Sequence, residues 1–72
     1  MKPGSEKFIS LHLVGIRLDV ENYVLRYWCD TFKIPRERNM IEAVYENRLL
    51  TIRDCLREER ITIAETKRRL GI

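Results

Sequence analysis

Long apolar runs are missing from this 72-residue chain, and the residues that small proteins commonly use for cross-links are few, with two cysteines and one histidine. No stretch approaches the roughly 18 consecutive apolar residues of a transmembrane helix. The opening Met1-Lys2-Pro3-Gly4-Ser5-Glu6-Lys7 is polar and lacks the pattern of a cleaved signal peptide. A cytoplasmic location without a membrane partner is the expectation. The two cysteines, Cys29 and Cys55, form no Cys-x-x-Cys pair, and a cytoplasmic chain keeps such thiols reduced. His12 is the only histidine, which leaves no His/Cys cluster of zinc spacing. Gly4, Gly15 and Gly71 stand apart, so no glycine-rich loop can cradle a phosphate.

These absences remove most catalytic chemistry. His12 with Cys29 or Cys55 is a formal base and nucleophile. Both cysteines fall on apolar helix faces, however, where inert burial is the expected state. Glu42 with Glu46, and Asp54 with Glu58, put carboxylates one helical turn apart. Without a histidine beside them they read as a solvated face and not a metal site. The chain reads as no enzyme, with no metal, cofactor or small-molecule substrate.

What is present is a 44% hydrophobic, 35% charged composition, which suits one small folded domain over residues 1–72. Chains this short often need a disulfide, a metal or a partner to complete their core. With the first two excluded, a homodimer is expected.

Residues 1–7 read as a flexible tail. From Ile9 to Leu13 apolar and polar residues alternate, and Ile16 to Val20 alternate again after a break at Val14-Gly15. Period two predicts a half-buried strand over 8–18, with a bulge or turn at Gly15. A rival pattern runs through the same residues: Leu11, Val14, Leu18, Leu25, Trp28 and Phe32 fit one long helix. Asp19 can cap a helix from about Val20 to Phe32, whose apolar face holds Val20, Tyr23, Val24, Tyr27, Trp28 and Phe32. Trp28 is its core or partner anchor. A second helix is expected from about Pro35 to Glu59, since proline suits a first helical position. Met40, Ile41, Val44, Tyr45, Leu49, Ile52, Cys55 and Leu56 recur along it at helical spacing. Residues 19–60 thus read as a helical hairpin. In the segment 61–72, Thr62-x-x-Glu65 is a capping-box pattern and Gly71 a helix terminator, which predicts a short helix over Ile63–Leu70. The fold expected is mainly α: a short N-terminal strand, two main helices and a short C-terminal helix, in an intertwined dimer.

Charge is distributed unevenly. Residues 1–32 hold four basic and four acidic side chains, so the excess of +3 lies wholly in residues 33–72. Ten of the fourteen cations are arginine, whose planar fork suits phosphate and carboxylate. Lys33, Arg36 and Arg38 cluster where the long helix is expected to begin, and a helix N-terminus also attracts anions. The competing reading is solvated surface with local ion pairs such as Arg38 with Glu42.

A strand, a helix, a tight connection and a second helix that opens on proline and cations resembles the ribbon-helix-helix family of DNA-binding proteins. The carrying segments are Ile9–Leu13 or Val14–Leu18, and Phe32–Val44; Lys33 stands where that family commonly has glycine. The resemblance implies a homodimer whose strands pair into an antiparallel ribbon. It implies a transcription regulator in which outward residues Ser10, His12 and Arg17 read base edges of double-stranded DNA, while Lys33, Arg36 and Arg38 grip phosphate. The tail Thr62–Ile72 resembles the first helix and turn of a helix-turn-helix, but no second helix follows, so a docked terminal helix is expected. The alternative function is a small helical interaction module that binds and modulates another protein. Trp28, Tyr23, Tyr27 and Tyr45 would be its exposed anchors, because aromatics and arginine dominate binding hot spots.

Overall fold

The computed structural model describes residues 8–72, and the expected tail over 1–7 lies outside the described residues. The chain is mainly helical with a small antiparallel sheet. In order run β1 (Phe8–Ser10), α1 (Leu11–Leu18), α2 (Asn22–Thr31), β2 (Arg36–Glu37), β3 (Met40–Glu42), α3 (Glu46–Arg53) and α4 (Ile63–Leu70). A 3₁₀ turn, Ala43–Tyr45, leads into α3, and a π-helical turn, Asp54–Glu58, continues it. No helix among the described residues is long and apolar enough to cross a membrane.

Ser10 converts strand to helix. Its extended backbone ends β1, while its Oγ accepts a hydrogen bond from the Leu13 N–H at 3.1 Å, filling one vacant donor of the first turn. Leu11, Val14 and Leu18 follow at three- and four-residue spacing, and all are buried. Asp19, in the left-handed region at φ 59°, ends α1. Val20 and Glu21 then lead into α2, which buries Leu25, Trp28, Cys29 and Phe32 on one stripe.

Lys33, at φ 60°, turns the chain out of α2, and the Ile34 N–H donates to the Cys29 carbonyl at 2.8 Å. That six-to-one bond with a left-handed residue inside it is the Schellman helix end, which favours glycine. Lys33→Gly is therefore expected to stabilise the fold by about 0.5–1 kcal/mol, the left-handed cost removed less the entropy that glycine adds. A higher urea midpoint at unchanged m-value checks it.

Beyond Pro35 the chain forms a hairpin. Glu37 pairs with Met40 around a two-residue loop, Arg38-Asn39, and Arg38 takes φ 57°, as two-residue loops require at their first position. The strand order is β1-β3-β2, so β3 is central. Ile41 points inward while Met40 and Glu42 face out. The Leu11 N–H donates to the Asn39 carbonyl at 2.8 Å, tying the start of α1 to the hairpin. Phe32, Leu11, Leu25, Ile41, Leu49 and Ile52 fill the centre. The C-terminal helix forms as expected: Thr62 Oγ1 accepts from the Glu65 N–H at 3.1 Å, and Gly71 ends it at φ 79°.

Several expectations are corrected. The strand over 8–18 stops at Ser10, because Leu11, Val14 and Leu18 are buried as a helical stripe while Leu13 and Ile16 are 40% and 66% exposed. Asp19 ends α1 and does not cap α2, whose N-cap is Glu21. The helix expected from Pro35 to Glu59 begins only at Glu46, since Arg36–Glu42 is a hairpin whose pattern is period two. Val44, 66% exposed, shows that the helical spacing through it was coincidental. The N-terminal strand pairs with β3 of its own chain, Ile9 opposite Ile41. The strand is thus already paired without the inter-chain ribbon that the resemblance implied.

Candidate functional site

The feature that organises the surface is the join between α1 and α2. Only Asp19, Val20 and Glu21 separate the helices. The N–H groups of Asp19 and Val20 both donate to the Gly15 carbonyl, the second at 3.0 Å. A Cβ on Gly15 would lie 2.6 Å from the Val20 carbonyl oxygen. The second helix therefore folds back over the first at a place where a side chain cannot fit. Turns of three or four residues join the helices of both αα-hairpins and helix-turn-helix motifs.

With its buried stripe fixed, α2 presents the opposite face outward: Tyr23, Arg26, Tyr27 and Asp30, at three- and four-residue spacing, are all exposed. The β2–β3 hairpin follows the C-terminal end of that helix. Arg36 links the two, its Nε 3.5 Å from the Asp30 carboxylate and its Nη1 donating to the Arg38 carbonyl at 2.6 Å. Among the described residues Arg26, Lys33 and Arg38 enter no salt bridge, whereas Arg17, Arg36, Arg53, Arg57, Arg68 and Arg69 do. A cavity of about 400 Å³ opens at the turn, with His12, Ile16, Glu21, Asn22 and Arg57 in its wall.

The residues expected to act together are dispersed. Ser10 is occupied as a helix cap. His12 is exposed on α1, and Arg17 Nη1 donates to both carboxylate oxygens of Glu46 at 2.9 and 3.1 Å; none of the three lies on a free strand face. Lys33, Arg36 and Arg38 do fall close in sequence and space. No helix begins there, so the dipole and vacant backbone donors expected at that point are lacking. Trp28 is buried, which leaves Tyr23 and Tyr27 as the exposed aromatics of α2. Tyr45 is half-buried with Arg48 5.7 Å from its ring centre. The pair Arg38–Glu42 is not formed; Glu65 meets Arg68 at 2.9 Å, and Arg69 turns to Glu59 at 2.7 Å.

Sequence reasoning missed Arg26 altogether and put Tyr23 and Tyr27 on one face with Trp28, whereas the structure buries Trp28 and exposes the two tyrosines. The signal was in the rival helical pattern: a glycine framed by Leu11, Val14 and Leu18, then a polar break at Asp19. Both cysteines are buried. Burial, above all, pushes the Cys29 thiol up to about 11, with Arg36 opposing and Asp30 adding, so little reactive thiolate forms near neutrality. No group of three His, Cys, Asp or Glu side chains among the described residues could hold a metal ion. No family model matches the chain, and neither a curated protein nor a solved structure does.

Proposed function

We propose that this chain is a small DNA-binding module, a helix-turn-helix with a flanking β-hairpin, that regulates transcription as a homodimer. The observation that carries the reading is the three-residue turn closed on Gly15, after which α2 presents Tyr23, Arg26 and Tyr27 as exposed side chains. In such motifs the second helix enters the major groove while the first crosses the backbone. The face of α2 suits that task. Arg26 can donate two hydrogen bonds to guanine, and Tyr23 and Tyr27 offer hydroxyls and apolar surface. Lys33 and Arg38 flank that face as unpaired cations of the sort that neutralise phosphate. Two copies would meet successive major grooves about 34–36 Å apart. The ribbon-helix-helix arrangement is not the one favoured, because residues 11–18 are helical and β1 pairs within its own chain.

Duplex binding by fluorescence anisotropy across a salt series tests the reading. Arg26→Ala is expected to cost about 1–3 kcal/mol on the preferred site and to relax its sequence preference. Arg38→Ala is expected to weaken every sequence alike and to flatten the log–log salt slope by about 0.9. Absence of duplex binding at low salt would defeat the proposal. Tyr23, Tyr27 and the exposed Ile16 would then serve better as anchors for a protein partner.

A further inference from the structure

We infer that Arg57, with Arg53 beside it, is a positioning residue that clamps the helix-turn-helix corner from a third helix and sets the pose of α2; this rests on the DNA-binding reading above. The carbonyls at the end of a helix have no backbone donors of their own. Here two are met by guanidinium groups from far along the chain. Arg53 Nη1 donates to the Leu18 carbonyl at 3.0 Å, and Arg57 Nη2 donates to the Asp19 carbonyl at 2.9 Å. Arg57 Nη1 also lies 4.0 Å from the Asp19 carboxylate, so one fork spans the backbone and side chain of a single corner residue. Two cations also sit favourably at the C-terminal, negative end of α1.

The placement depends on the π-helical turn. Arg53 is the last residue of α3, and Arg57 lies inside the turn Asp54–Glu58 that widens it. Such turns often occur at functional sites. Arg53 is further fixed by Asp54, whose Oδ1 accepts from its Nε and Nη2 at 3.2 and 2.8 Å. The same corner is pressed against Gly15. Its geometry is therefore set by a close backbone approach within the helix pair and by donated hydrogen bonds from outside it. Any loosening moves α2 relative to α1, because only three residues join them. Neither arginine belongs to the outward face of α2, so their effect on DNA runs through the turn and not through contact with it.

The test combines two measurements on the full chain. Backbone amide exchange without DNA reads the clamp itself. In Arg57→Ala the Asp19 and Val20 amides are expected to exchange about tenfold faster, the loss of one charge-assisted hydrogen bond, while the Ile52 amide in α3 is unchanged. Arg57→Lys keeps the charge but not the fork and is expected to behave as the alanine does. Unchanged exchange at Val20, an equal acceleration at Ile52, or full rescue by lysine would each overturn the clamp. Anisotropy with a pool of random duplexes of about 20 base pairs, two helical turns, reads the consequence. Arg57→Ala is expected to bind about tenfold more weakly at every salt concentration, with the slope of wild type. A slope flattened by about 0.9 would make Arg57 a phosphate contact, and unchanged affinity would sever the corner from binding; either overturns the assignment. If wild type binds no duplex, the DNA reading fails by itself, and the exchange comparison still decides the clamp.

Discussion

Trp28→Ala is expected to remove about 3–5 kcal/mol of folding stability, the usual range for deleting a large buried aromatic. Trp28 is 8% exposed and packs in the one core that the described elements share. It lies between Leu25 and Phe32 on the inner stripe of α2, so the cavity left would open at the centre of the domain. Small domains hold only about 5–15 kcal/mol in total, and this substitution consumes a large share of it. Urea unfolding followed by far-ultraviolet circular dichroism gives the comparison. A loss below about 1 kcal/mol would contradict the burial, because that figure belongs to surface positions.

Gly15→Ala is expected to destabilise the fold by about 1–3 kcal/mol, the range for overpacking, and to abolish duplex binding. The sign is the informative part. In an ordinary helix interior the same change stabilises by about 1 kcal/mol. At Gly15 the new Cβ would stand 2.6 Å from the Val20 carbonyl oxygen. That oxygen belongs to the backbone of the corner, so no flexible side chain can swing away; α2 itself has to move. A neutral or stabilising alanine in thermal unfolding would show that the corner is not pressed against α1.

The sequence carried the C-terminal helix clearly, because its signals are local. Thr62, Glu65 and Gly71 each act within one turn of where they stand, and the helix forms on the expected residues. The N-terminal half misled because two periods overlap there. Ile9, Leu11 and Leu13 alternate, yet Leu11, Val14 and Leu18 recur at helical spacing, and only the second set meets the core. What decides between them is the Leu11 N–H bonding to Asn39 and β1 pairing with β3. Both involve residues about thirty positions away, which no local pattern reports. The hairpin was hidden for a related reason. Arg38 holds a left-handed conformation without being glycine, so the usual turn marker was absent. Of the candidate site, the cations Lys33, Arg36 and Arg38 were legible as a group. The outer face of α2 was not, because finding it required knowing which stripe was buried. A glycine between Leu11, Val14 and Leu18 was the one trace of the corner, and it reads equally well as a bulge until the second helix is seen to press on it.

The non-glycine corners bear on how the chain would respond to heat. Asp19, Lys33, Arg38 and Arg60 all adopt positive φ, each at about 1–2 kcal/mol relative to a relaxed backbone. Together they hold back an amount comparable to the whole margin of a small domain. Selection for thermal tolerance alone would collect glycine or asparagine at these four places. Selection that also retained an anionic ligand would resist the exchange at Lys33 and Arg38, where the side chain is a cation without a protein partner. Asp19 would resist it for a different reason, since it holds Arg57. Arg60 is the corner left over, and it is there that heat-adapted variants would change first.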